Sequence, residues 1–182
     1  MAIKATICKI ELAVSDMDRH HYQTYNLTVA QHPSETLTRL MTRIAVFALN
    51  ASDTLEFTRG LSTDDEPELW EKDYSDQTLL WIELGQPDEK RIRKACQKAQ
   101  QVRIYEYHGR TALPWWDSLK NSCARFDNLS VYNLDADAIA QLTSLYDRTM
   151  RLQASIQDAT LWLGNDQGSI EIQPQRLHPH DS

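Results

Sequence analysis

The chain has 182 residues, 41% of them hydrophobic, and a formal net charge of -7. That length suits one domain with a full core and is short for two, so a single domain over 1–182 is expected. No run of about 18 apolar residues occurs, the N-terminus alternates instead of joining a basic start to an apolar block, and the acidic balance opposes indiscriminate binding to nucleic acid or anionic lipid, so a soluble cytoplasmic protein without a membrane partner is expected.

Cys8, Cys96 and Cys123 stand far apart and are odd in number, which fits reduced core thiols rather than a disulfide framework or a zinc site. Residues 3–14 read as a strand in which Ile3, Ala5 and Ile7 alternate before the phase switches to Cys8, Ile10, Leu12 and Val14, a slip that predicts a bulge. A polar turn at 15–21 and renewed alternation at Tyr25, Leu27 and Val29 make the first unit an antiparallel hairpin. His32-Pro33-Ser34-Glu35 is a helix-start signal, and Leu37, Leu40, Met41, Ile44 and Ala48 mark the core face of the helix that follows. Val46, Phe47 and Leu49 make its last turns apolar almost all round, which implies cover on more than one side. Glu35, Arg39 and Arg43 follow one another at helical spacing. They read first as an exposed helix ion pair and second as a functional acid beside a covered stripe.

Residues 55–61 read as a short strand, and Ser62 to Pro67 as an acidic turn whose Asp64, Asp65 and Glu66 repel unless a cation collects them. A solvated loop and a metal-ligand cluster are equally open readings there, and Glu68, Leu69 and Trp70 read as a brief helical turn. Leu79, Leu80, Trp81, Ile82 and Leu84 then form a run without polar alternation, as in a strand covered on both faces. Glu83 breaks that run, and a carboxylate so placed needs a cation, donors or a proton. Gly85 and Pro87 end the strand, and Pro87-Asp88-Glu89 opens a helix with Ile92, Ala95, Cys96 and Ala99 on one face. Lys90, Arg91, Arg93, Lys94, Lys98 and Arg103 fall within this stretch with no acid between them, the one obvious basic patch of an acidic chain.

Further on, 102–107 is strand-like and 111–123 helical. Residues 129–134 form a strand, and Asp135 caps a helix through Tyr146. The alternation of strand and helix predicts βαβ crossovers and a partly parallel sheet. From Leu152 the pattern changes to an antiparallel meander with its turn at 164–168, and 174–182 is expected to be a loose tail. The fold class is therefore α/β (α+β): a mixed central sheet flanked by helices, with an N-terminal hairpin and a C-terminal antiparallel meander. No phosphate-cradling glycine pattern, CxxC, HExxH or GxSxG occurs. His32 and His108 are lone histidines at element boundaries, with structural roles by default.

With HPSET at 32–36, DDEP at 64–67, LWIELGQPDEKRIRKA at 80–95 and LPWW at 113–116, the sequence resembles the YaeQ family of bacterial proteins over essentially its whole length. That family is associated with the PD-(D/E)XK nuclease-like fold, in which an acid on an early helix, an acid in a loop or strand and an E-x-K strand surround a divalent metal. The resemblance implies a restriction-endonuclease-like core. It also implies a Mg²⁺ or Mn²⁺ site in which Glu83 and Asp65 or Glu66 are ligands, Glu35 binds directly or through water, and the Leu84 carbonyl is a further oxygen. The pattern departs at Gly85, which stands where the lysine belongs, and Arg91 and Lys94 are the nearest replacement cations.

The function expected from the resemblance is metal-dependent phosphodiester hydrolysis at a variant site, with Glu83, Asp65, Glu35, Lys94 and Arg91 as its catalytic groups. The alternative is an inactive module on the same fold that binds nucleic acid or a protein partner through the basic helix 88–99, with Lys90, Arg91, Lys94 and Lys98 as its contacts.

Overall fold

The structure, a computed structural model, describes residues 4–58 and 65–179. Its strands are β1 (Thr6–Asp16), β2 (His21–Gln31), β3 (Leu55–Phe57), β4 (Leu69–Lys72), β5 (Thr78–Leu84), β6 (Ala99–Glu106), β7 (Leu129–Asn133), β8 (Thr149–Gln157), β9 (Thr160–Asn165), β10 (Gly168–Ile172) and β11 (Gln175–His178). Its helices are α1 (Leu37–Asn50), α2 (Glu89–Lys98), α3 (Ala112–Cys123) and α4 (Ala136–Gln141), with 3-10 turns at Gly109–Thr111 and Leu142–Leu145. The chain divides into two compact units, Met1–Ala51 with Asp137–Gln173 and Ser52–Ala136 with Pro174–Ser182. Each unit is built on its own mixed sheet. The expected Ile3 strand start and the Gly60-Leu61 and Ser62-Asp64 assignments lie outside the described residues.

The first unit carries a sheet of order β10-β9-β8-β1-β2. The N-terminal hairpin and the C-terminal meander are both present, and the parallel pairing of β1 with β8 joins them into one sheet. The predicted bulge is absent. The β1–β2 register runs unbroken from Thr6↔Gln31 to Asp16↔His21, because Cys8, Ile10, Leu12 and Val14 set one buried phase and leave Ile7 half-exposed on the opposite face. Asp16 ends that buried phase and is held in the turn by Arg19, whose Nε donates to Oδ2 at 2.7 Å and whose backbone N–H donates to Oδ1 at 3.0 Å.

Helix α1 starts later than the sequence signal implied. Thr36 is its cap, with Oγ1 accepting the Arg39 N–H at 3.1 Å, so that His32 to Glu35 form a preceding turn closed by the Glu35 N–H on the His32 carbonyl. Every residue from Leu40 to Ala48 is buried, as the all-round apolar pattern required.

The second unit carries a sheet of order β11-β7-β6-β5-β4-β3, in which β5, β6 and β7 run parallel. Leu80 to Leu84 are all buried. Asp88 caps α2 by accepting the Arg91 N–H at 2.8 Å, and Ile92 and Ala95 pack with Trp81, Val102, Ile104, Trp116 and Val131.

Two expectations are corrected in this unit. Leu69 and Trp70 do not form a helical turn: they begin β4, antiparallel to β5 with Leu69 opposite Ile82, because a fully buried Leu69 beside β5 is better satisfied in the sheet than in an isolated turn. The tail is not loose over 175–178, where β11 pairs with β7, Leu177 packs on the core and the His178 ring lies 5.4 Å from that of Trp116.

Candidate functional site

The β5–α2–β6 crossover positions the central acid. Alternation along β5 puts Trp81 and Glu83 on the same face, so the indole Nε1 donates to Glu83 Oε1 at 2.8 Å. The first turn of α2 places Arg91 over the same oxygen: its Nε donates to Oε1 at 2.8 Å and its Nη2 to the Glu66 carbonyl at 2.8 Å. The Glu83 side chain is 5% exposed and that of Arg91 27%. Burial pushes the Glu83 carboxyl up from the usual carboxylate range; the Arg91 hydrogen bond and charge and the Trp81 donor oppose that rise, and the charge of Glu68 adds to it. Glu68 is itself buried, just ahead of β4, with its N–H on the Ile82 carbonyl at 2.9 Å.

The other expected ligands are distributed as follows. Asp65 is exposed, with Oδ1 3.9 Å from Lys98 Nζ. Glu66 has a buried Oε2 with no hydrogen-bond partner among the described residues. Leu84 ends β5 opposite Tyr105 of β6. Glu35 lies in the first unit, where Arg43 Nη2 and Nε donate to Oε1 at 2.6 Å and Oε2 at 2.9 Å, and Arg39 Nη1 donates to Oε2 at 2.6 Å. It is an ion-paired acid, as the first reading had it, but a buried one. Among the described residues no three His, Cys, Asp or Glu side chains gather where they could hold a metal ion.

On α2, Lys90, Lys94 and Lys98 are exposed and recur every fourth residue, so they form one row along the helix. Lys98 also stands 5.9 Å above the Trp81 ring. Gly85, where a lysine was expected, has φ +87, a conformation that L side chains rarely adopt, and the His108 Cε1 lies 3.4 Å from where a Cβ would be. Two features escaped the sequence reading. Glu68 was hidden because a four-residue strand after a proline carries almost no periodicity. The Glu106–His108 pair left one available signal, an acid at a strand end with histidine two residues later.

The YaeQ family model, described as "YaeQ protein", matches residues 1–174. The chain belongs to the YaeQ family. Relatives named "Uncharacterized protein YaeQ" include that of Salmonella typhi, 48% identical over 173 residues (95% of this chain, 96% of the relative), and that of Escherichia coli K12, 46% identical over 172 residues (94% and 95%). A crystal structure of the YaeQ protein from Xanthomonas axonopodis pv. citri is similar at TM-score 0.92 and 47% identity, covering 95% of this chain and 98% of that one. The YaeQ protein from Pseudomonas syringae gives TM-score 0.91 at 32% identity, with 97% of each chain covered. The mixed α+β arrangement of two sheets and four helices is thus that of solved YaeQ family members.

Proposed function

We propose that this YaeQ family protein is a metal-dependent phosphodiester hydrolase built on a restriction-endonuclease-like core in its second unit. The observation that carries the reading is the pair of buried carboxylates at the end of β5, Glu83 and Glu68, the latter placed there by its N–H on the Ile82 carbonyl at 2.9 Å. A buried carboxylate costs stability unless cations or donors compensate it, and at Glu83 burial outweighs the partly exposed Arg91 guanidinium and the Trp81 donor.

The donor set suits a hard divalent ion such as Mg²⁺ or Mn²⁺, which takes one or two protein carboxylates and keeps waters and substrate oxygens for its remaining positions. Glu83 and Glu68 would hold it, with the Leu84 carbonyl as a further oxygen. Such an ion supplies Lewis-acid stabilisation of charge on a phosphoryl oxygen. The rest falls to the chain. Trp81 and Arg91 fix the Glu83 carboxyl group, Lys94 neutralises phosphate charge from the exposed face of α2, and Lys90 and Lys98 extend that face along a polyanion. Glu35, with both oxygens engaged by arginines, is a structural acid of the first unit. Asp65, joined loosely to Lys98, is an outer acid of the same segment.

A second reading is favoured by the Glu83–Arg91 contact: with Glu83 already neutralised by the chain, the exposed lysine row would serve a module that binds nucleic acid without cutting it. The deciding experiment is cleavage of single-stranded and duplex DNA and RNA with Mg²⁺ or Mn²⁺, comparing wild type with Glu83→Gln and Glu68→Gln. Metal-dependent cleavage lost in both variants supports the hydrolase. Salt-sensitive binding without cleavage supports the module.

A further inference from the structure

At the carboxyl end of β6, Glu106 is completely buried, and its Oε1 gathers three groups at 2.6 Å each: the backbone N–H of Tyr107, the backbone N–H of His108, and the His108 Nδ1. An ionised carboxylate has only acceptor sites, so Nδ1 carries the hydrogen in this contact, and the neutral imidazole presents its lone pair at Nε2. The ring is half-exposed and stacks on Tyr107, with centroids 4.4 Å apart.

A loop that needed only closure would be served by the two backbone donors. The third contact instead fixes the tautomer and orientation of an accessible base. Two further acceptors lie at the same edge: Glu106 Oε2 and the Oδ1 of Asn133, its register partner on β7, are buried without a hydrogen-bond partner among the described residues. Buried acceptors of this kind call for donors such as water. The edge is also the carboxyl end of parallel strands, where open α/β sheets bind their ligands. Finally, the His108 Cε1 rests against Gly85, two residues beyond Glu83. The imidazole therefore occupies the flank of the glycine from which a lysine would have projected.

We propose that His108 is the proton acceptor of this edge, held in its working tautomer by Glu106 as a positioning residue. The inference rests on the hydrolase reading and deepens it. A water molecule gives a proton to His108 Nε2 as its oxygen forms a bond to phosphorus; the bond from phosphorus to the leaving oxygen breaks on the opposite side, that oxygen keeps the electron pair and takes a proton from solvent, and the imidazolium then returns its proton to solvent. Glu106 stabilises the imidazolium through Nδ1.

The test begins on metal-free protein, with long-range ¹H–¹⁵N correlation of the histidine rings at neutral pH: the neutral His108 ring is expected protonated at Nδ1 and bare at Nε2. Kinetics with Mn²⁺ and an oligonucleotide then compare wild type, His108→Gln and His108→Gly. His108→Gln should lower kcat by about 100-fold or more with KM unchanged, the usual scale of general-base loss. Added imidazole should restore part of the His108→Gly activity, which a purely structural histidine would not allow. A thermal melt of each variant guards against misfolding. An Nε2-protonated neutral ring, or undiminished cleavage by a folded His108→Gln, overturns the role of His108 and leaves the hydrolase standing. Absence of wild-type cleavage with any divalent ion overturns the hydrolase reading itself and the role of His108 with it.

Discussion

Arg43 grips Glu35 through two parallel hydrogen bonds, Nη2 to Oε1 at 2.6 Å and Nε to Oε2 at 2.9 Å, with the two side chains 4% and 1% exposed. A fork of this kind is the strongest geometry available to an arginine and a carboxylate. Its energetic consequence lies in what removal leaves behind. Glu35→Gln strands a buried guanidinium, so the unfolding free energy should fall by about 3 to 5 kcal/mol. Arg39→Ala, which removes a partner that is 14% exposed, should cost less. Urea unfolding of the three proteins measures this, and equal stability of Glu35→Gln and wild type would show that the fork is not structural.

Glu83 makes stability depend on pH in the direction opposite to a salt-bridged surface acid. Burial is the largest cause and raises its carboxyl; Arg91 and Trp81 only partly oppose it. The folded protein therefore holds that proton more tightly than the unfolded chain. This contribution to stability is complete below the unfolded pKa and is lost as pH rises through the folded one. Glu83→Gln should flatten that part of the profile. At neutral pH it should leave stability unchanged or raise it, because the ionised carboxylate is the form that burial disfavours, while Arg91 is partly exposed and keeps its bond to the Glu66 carbonyl. Urea unfolding across the acidic to neutral range checks both statements, and an unchanged slope in the variant contradicts the first.

The parts of the chain that were legible had a periodicity that burial then used. Helix α2 carried its start, its lysine row and an apolar stripe in the sequence, and β5 its unbroken apolar run. Asp88 is nevertheless the cap of α2 rather than part of its first turn, and Ala99, read as its last stripe residue, begins β6. Where the sequence misled, tertiary pairing decided. Ile7 looked like a strand core until the phase of Cys8 through Val14 claimed the buried face, β4 needed the neighbouring β5 to exist, and β11 needed β7. Around the candidate site, spacing named both the acids and their arginines, but not the setting: Arg91 reaches Glu83 only because α2 folds back across β5, and the Glu35–Arg43 pair is buried and spans a helix start that came later than the proline signal suggested.

Cys96 and Cys123 should behave as inert core thiols. Burial, with a smaller contribution from the neighbouring Cys123, pushes the Cys96 thiol up to about 12, and burial likewise raises Cys123. Since the thiolate is the reacting species, native protein at mildly alkaline pH should leave both unlabelled by iodoacetamide, while urea exposes them. Peptide mapping after labelling measures this, and rapid native labelling of Cys96 would contradict the packing between α2 and its sheet.

The lysine row on α2 predicts a measurable electrostatic footprint. If Lys90, Lys94 and Lys98 each neutralise a phosphate, the logarithm of affinity for duplex DNA falls linearly with the logarithm of salt concentration, and replacing any one with Ala lowers the slope by about 0.9. Fluorescence anisotropy at several salt concentrations supplies the slope. A flat dependence would mark the row as a solvated face.

Gly85 explains why restoring a lysine to the E-x-K pattern should not restore a conventional site. Its φ of +87 places the residue in a region that costs an L side chain roughly 1 to 2 kcal/mol, and the His108 Cε1 already stands 3.4 Å from the Cβ position. Its N–H is also committed to the Tyr105 carbonyl at 2.9 Å, so the backbone cannot rotate to relieve the strain without breaking the pairing that ends β5. Gly85→Ala should therefore lose about 1 to 2 kcal/mol of stability, and Gly85→Lys at least as much. The larger side chain should also shift the His108 ring resonances, because any Cβ contact at this position falls on that ring. Urea unfolding and the histidine ¹H–¹⁵N correlation are the two readouts. A Gly85→Lys protein as stable as wild type, with His108 resonances unmoved, would mean that the glycine is not required by the backbone at this turn.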